Sequence, residues 1–182
     1  IDIGQHNSFY YYIQNFYFRL WGLNPKNALL MNINEIPTAN GLPLNEIFPD
    51  QKVDLSLRTR WPASRLERLQ KETIEILDEY CSNYERKIRE MGGIGFFLGG
   101  IGPDGHIGFN VQGSDHFSTT RLIATNYETQ AAAATDLGGI EVARNRLVIT
   151  IGLKTITSNK DAVAIIIAAG EAKANIVRDS IQ

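Results

Sequence analysis

Apolar residues at Phe9, Tyr12, Ile13, Phe16 and Leu20 recur at helical spacing through residues 6 to 21 (HNSFYYYIQNFYFRLW). They predict a first helix, with Asn7 or Ser8 as its N-cap. Its aromatic face could stack on sugars or bases, but packing on a sheet is the simpler use of such rings. Residues 24 to 60 are rich in Asn and Pro and lose any sustained period, so the pattern gives a short strand over residues 29 to 33 and then a long ordered loop. The clearest helix spans residues 61 to 91. Pro62 stands near its start and Ser64 can cap it. Leu66, Leu69, Thr73, Ile76, Leu77, Tyr80, Tyr84 and Ile88 form one face, charged residues fill the other, and Gly92-Gly93 ends it.

From residue 94 the pattern alternates. IGFFLGG, STTRLIATN, NRLVITIGL and DAVAIIIAAG read as strands. YETQAAAATDL and EAKANIVRDSI read as helices, and TITSNK as a turn. AVAIIIAA within the fourth strand is apolar throughout, as a strand buried on both faces would be. Strands alternating with helices predict a mostly parallel, three-layer α/β sheet with helices on both faces. Ligands of such sheets bind beyond the carboxyl ends of strands. The segment GGIGPDGHIGFN lies directly after the first of these strands, which makes it the candidate site.

Composition narrows the classes. The chain has 182 residues, 43% hydrophobic and 21% charged, with a net charge of −2. That fits one soluble globular domain over residues 1 to 182 and gives no basic stripe for nucleic acid. No apolar run reaches the ~20 residues of a membrane span, and no signal peptide is visible. A single cysteine, Cys81, cannot form an internal disulfide, which suggests a reducing, cytoplasmic setting. No repeat or low-complexity tract interrupts the chain.

The loop GGIGPDGHIGFN carries the chemistry. Glycines let the backbone approach a ligand closely, and Asp104 two residues before His106 can set a carboxylate and an imidazole on one target. No P-loop pattern is present. Gly100, Gly102 and Gly105 do match GxGxxG, but the polar turn between them favours direct chemistry on a small substrate over dinucleotide binding. Asp104 and His106, with His116 or His6, could in principle ligate a metal, but the spacing is not that of a zinc signature, and no metal or other cofactor is expected. Cys81 lies on or near the apolar helix face and reads as a packed thiol rather than a nucleophile. Two further clusters could hold an anion. One is GSDHFSTTR with Ser118 and Arg121; the other is Gly170-Glu171-Ala172-Lys173 at the start of a helix.

The order GGIGPDGHIGFN, Ser118 and Arg121, RLVITIGLKTI and GEAK resembles the glucosamine-6-phosphate deaminase (isomerase) family. The resemblance runs from about residue 7 to the C-terminus and is densest over residues 94 to 173. The 6-phosphogluconolactonase family shares the GxGxDGH core, but the IGFN continuation is closer to the deaminases. The resemblance implies a Rossmann-like fold of the deaminase, ribose-5-phosphate isomerase and CoA-transferase type. It also implies conversion of glucosamine 6-phosphate to fructose 6-phosphate and ammonia. His106 would be the acid/base at the sugar ring oxygen, supported by Asp104. Gly102, Gly105, Asn110, Arg121 and Lys173 would bind the sugar phosphate, with Lys173 on the phosphate. The partner implied is a small sugar phosphate, and a homo-oligomer stays open.

The chain also departs from that family. Val111 and Gln112 stand where the family has Glu and Pro, and Thr135 aligns with an arginine used on phosphate. The family's first phosphate loop and its proton-transferring aspartate would lie before Ile1, and the end of the fold after Gln182. The expectation is therefore a chain truncated at its N-terminus and its C-terminus, inactive in isolation. Two alternatives remain: a 6-phosphogluconolactonase-like hydrolase with His106 activating water, or a sugar-phosphate-binding module that has lost catalysis.

Overall fold

The computed structural model describes residues 3–6, 8–50, 52–102, 104–137, 139–140, 143 and 147–181. Helix α1 (Phe9–Tyr12) is capped by Ser8, whose hydroxyl accepts from the Tyr11 N–H at 3.0 Å, and it continues as a π-helical stretch, Ile13–Leu20. Asn7, the alternative cap, lies outside the described residues. The aromatic side chains meet one another along this helix (Tyr12 with Phe16 and Tyr17, Tyr17 with Trp21). Phe9, Tyr12, Phe16 and Trp21 stay exposed, so the expected packing of this face on a sheet is not found.

Residues 24 to 60 hold no strand among those described. They form 3-10 turns and one short helix, α2 (Leu44–Ile47). The expected strand over residues 29 to 33 is replaced by tethers to the long helix α3 (Arg65–Glu90). Tyr84 Oη donates to the Leu29 carbonyl at 2.9 Å, Gln70 to that of Ile47 at 2.8 Å, and Lys71 to that of Leu57 at 2.9 Å. Of the three, the Leu29 carbonyl lies in the expected strand, and the Tyr84 hydroxyl takes the place of a ladder partner there. Ala39, Ile47 and Phe48 form a small core with Leu42, Val53 and Leu69 packed against it. Ser64 caps α3, accepting from the Glu67 N–H at 3.1 Å.

Strand β1 (Phe96–Gly100) is followed by β2 (Arg121–Ala124), helix α4 (Tyr127–Leu137), β3 (Leu147–Thr150), α5 (Leu153–Thr157), β4 (Val163–Ile167) and α6 (Ala174–Ile181). The fold class is α/β, but the strands pair two by two. β1 and β4 are parallel, Phe96 opposite Val163 and Gly100 opposite Ile167. β2 and β3 are antiparallel, Arg121 opposite Thr150 and Ala124 opposite Leu147. The expectation of a mostly parallel sheet is corrected for this second pair. The TITSNK segment is also not simply a turn, because its first residues complete α5. β4 differs most from expectation. All five of its positions are exposed, with Val163 at 54% and Ile167 at 57%, because nothing among the described residues covers either face.

Candidate active site

β1 delivers the chain to Ile101 and Gly102 at its carboxyl end, and the loop closes on itself there. The Gly102 N–H donates to the His106 carbonyl at 2.8 Å, and the Gly105 N–H donates to the Gly102 carbonyl at 3.1 Å. Two glycines are required by space and conformation. A Cβ on Gly102 would collide with the His106 ring. Gly105 has φ +89°, and a Cβ there would lie 2.9 Å from Ile176 Cδ1 of α6. Pro103 lies outside the described residues.

Asp104 Oδ1 stands 2.5 Å from His106 Nδ1. The other carboxylate oxygen accepts from Asn126 Nδ2, also at 2.5 Å. Asn126 follows β2 and caps α4, its Oδ1 accepting from the Thr129 N–H at 3.1 Å, and Thr129 Oγ1 lies 3.4 Å from His106 Nδ1. Burial pushes the Asp104 carboxyl up. Hydrogen bonds from His106, from its own backbone N–H and from Asn126 outweigh that, so it lies below the usual carboxylate range. An ionised Asp104 holds the Nδ1–H tautomer of His106 and leaves Nε2 with the lone pair. Both side chains are mostly buried, at 12% and 13% exposure. His106 stacks on Phe109, ring centroids 5.7 Å apart. The pair can exchange a proton at Nε2 with a group bound beside it.

The loop's tail is fastened to β3. Thr150 Oγ1 accepts from the Phe109 N–H at 3.0 Å, and Asn110 Nδ2 donates to the Ile151 carbonyl at 2.8 Å. Asn110 is buried, and its Oδ1 has no partner.

Lys173 reaches the same loop, its Nζ donating to the Ile101 carbonyl at 2.7 Å. Arg121 does not join Asp104 and His106. Its guanidinium bonds the Thr119 carbonyl at 3.3 Å, at the end of β2 away from Asn126. Ser118 is taken up structurally, its carbonyl accepting from the Lys154 N–H at 2.9 Å and its hydroxyl from the Leu153 N–H at 3.3 Å. His6 and His116 are exposed, and among the described residues no three His, Cys, Asp or Glu side chains cluster as metal ligands. Val111 is half-buried and Gln112 exposed. Thr135 lies in α4, but its side chain is outside what is described. Cys81 is a packed thiol, with burial pushing its pKa up to about 11.

Sequence reasoning missed Asn126, Thr129 and the anchoring role of Thr150. Asn126 does carry a local signal, because an asparagine directly before a helical run reads as an N-cap. That signal says nothing of Asp104, 22 residues earlier. A cavity of about 420 Å³ lies elsewhere, between α3, the segment of residues 33 to 53 and the β2–β3 pair, and its walls are mostly aliphatic.

No family model matches the chain. It is 41% identical over 91 residues to a glucosamine-6-phosphate isomerase of Candida albicans, covering 50% of this chain and 37% of that protein. It is 40% identical over 97 residues to a glucosamine-6-phosphate deaminase of Caenorhabditis elegans (53% and 36%). A glucosamine-6-phosphate deaminase 2 of Bacillus subtilis gives 40% over 102 residues (56% and 41%). The chain thus matches about two fifths of the length of these relatives. Among solved structures, a monomeric glucosamine-6-phosphate deaminase superposes with a TM-score of 0.65 at 24% identity, covering all of this chain and 58% of its own. The chain is therefore similar, at about 40% identity over about half its length, to proteins named glucosamine-6-phosphate deaminase or isomerase, and it shares the fold of one of them.

Proposed function

We propose that this chain forms part of a glucosamine-6-phosphate deaminase/isomerase, with residues 1 to 182 in a single α/β domain. The observation that carries the reading is the Asp104–His106 pair, joined at 2.5 Å just past the carboxyl end of β1. The names of the relatives supply the substrate and reaction class.

In the ring-opening step, His106 Nε2 takes the proton of the anomeric hydroxyl and delivers it to the ring oxygen as the C1–O bond breaks. Asp104 stabilises the imidazolium between the two transfers. The open aldose then moves a proton from C2 to C1, which leaves an imine at C2, and a water molecule hydrolyses that imine to the ketone of fructose 6-phosphate with release of ammonia. Lys173, already at Ile101, turns to the substrate phosphate. Gly102 and Gly105 keep the loop backbone close to the sugar, Asn110 Oδ1 offers it an acceptor, and Arg121 lies further out as a second anion contact. With Val111 where the family that the sequence resembles has a glutamate, ring opening rests on Asp104 and His106.

The three-layer, Rossmann-like sheet belongs to the same reading, supported by the wholly apolar β4, which has the composition of a covered strand. A reducing, cytoplasmic setting is supported by the single buried thiol. Among the described residues no helix is long and apolar enough to cross a membrane.

Product analysis tests the reading. The protein at its natural length, given glucosamine 6-phosphate, should release fructose 6-phosphate and ammonia in equal amounts. Release of acid from 6-phosphogluconolactone instead would assign it to the hydrolases. Binding of the sugar phosphate without turnover, the outcome that Val111 favours, would make it a binding module.

A further inference from the structure

We infer that Asn126 is a positioning residue for the Asp104–His106 pair, tying the start of α4 to the tautomer of the imidazole. The inference rests on the reading of that pair as the acid/base of the site.

The orientation of the Asn126 amide is settled by its two partners. Its Oδ1 accepts from the Thr129 N–H, the bond that caps α4, and this turns Nδ2 toward Asp104 Oδ2. A flipped amide would set oxygen against carboxylate and NH2 against N–H, losing both bonds. One side chain therefore both caps α4 and holds Asp104.

The consequence falls on Asp104. Each of its oxygens has a different partner, His106 on one side and Asn126 on the other, so the carboxylate cannot rotate without breaking a bond. Its partner Asn126 stands directly before α4, the end of a helix that favours negative charge. The other charged group at the loop is the Lys173 ammonium, held at the Ile101 carbonyl. Held in this way, Asp104 accepts the Nδ1 proton in one geometry, and Nε2 is presented as the acceptor. Thr129 Oγ1, at 3.4 Å from Nδ1, closes the same side of the ring.

Two variants keep the cap and remove the donor. Asn126→Ser and Asn126→Thr retain an oxygen for the Thr129 N–H but are too short to reach Asp104 as well. Long-range 1H–15N NMR of His106 reads the ring tautomer directly, without any turnover. The wild type should show Nδ1–H as the single neutral form. Both variants should show a mixture or a shift to Nε2–H, with the melting temperature close to wild type. In steady-state assays kcat should fall between about tenfold and about a hundredfold while KM for glucosamine 6-phosphate stays within a factor of about two. Variants that leave the single Nδ1–H form intact overturn the inference, whatever the rate. If the tautomer shifts in a protein that shows no deaminase activity, the positioning role stands and the functional reading fails.

Discussion

Gly102 and His106 occupy one volume in turn: the imidazole lies where a side chain on Gly102 would begin, and the Gly102 N–H holds the His106 carbonyl at 2.8 Å. The ring is placed by the absence of a side chain as much as by the carboxylate beside it. Gly102→Ala should therefore displace the imidazole from Asp104. We expect kcat to fall about a hundredfold or more, since a shift of about 1 Å in a reacting group has that effect. Steady-state kinetics with circular dichroism as a fold control checks this, and near wild-type kcat would mean that the ring does not work from this position.

Glu85 is a buried carboxylate on α3 that joins three elements. Its Oε1 accepts from the Thr120 N–H at 3.0 Å, from the Thr120 hydroxyl at 2.6 Å and from the Thr155 hydroxyl of α5. Glu85→Ala leaves these donors unpaired away from water, and should cost about 3 kcal/mol or more. Glu85→Gln keeps an acceptor and should cost less. Urea midpoints of both variants measure the difference, and equal losses would show that the oxygen is not the relevant atom.

Cys81 should be almost inert. With its pKa pushed up to about 11 by burial, only about 0.1% of it is thiolate at pH 8. Alkylation by iodoacetamide at that pH should be at least about a hundredfold slower than in urea. Comparable rates in the two conditions would contradict its burial.

The sequence was most readable where local chemistry decides the outcome. Ser64 and the apolar stripe from Leu66 onward mark α3, and Gly102 and Gly105 announce a loop after β1, because caps, periodicity and glycine act over a few residues. Strand direction is not local. RLIA and LVIT are mostly apolar, as the β1–β4 pair is, yet they run antiparallel to each other, and nothing within either segment marks that direction. Likewise no local feature joins Asn126 to Asp104, and the apolar run in β4 reports a preference for burial without supplying anything to bury it.

Ile165 lies at the centre of β4 at 45% exposure. If a further layer covers this strand, as the three-layer reading holds, Ile165→Lys should destabilise the natural-length protein by about 2 kcal/mol or more, through lost apolar burial and a desolvated charge. Thermal unfolding checks it, and an unchanged melting temperature would leave β4 as a bare face.

The most direct test of the Asp104–His106 assignment is His106→Gln, measured on glucosamine 6-phosphate beside the wild type for both kcat and substrate binding. Glutamine keeps a polar side chain of similar reach but cannot exchange a proton near neutral pH. The release of fructose 6-phosphate and ammonia should fall at least about a hundredfold, with sugar-phosphate affinity changed only a few-fold, because the phosphate contact proposed for Lys173 is left untouched. Turnover at the wild-type rate, or a loss of binding as large as the loss of kcat, would contradict the assignment of ring opening to His106.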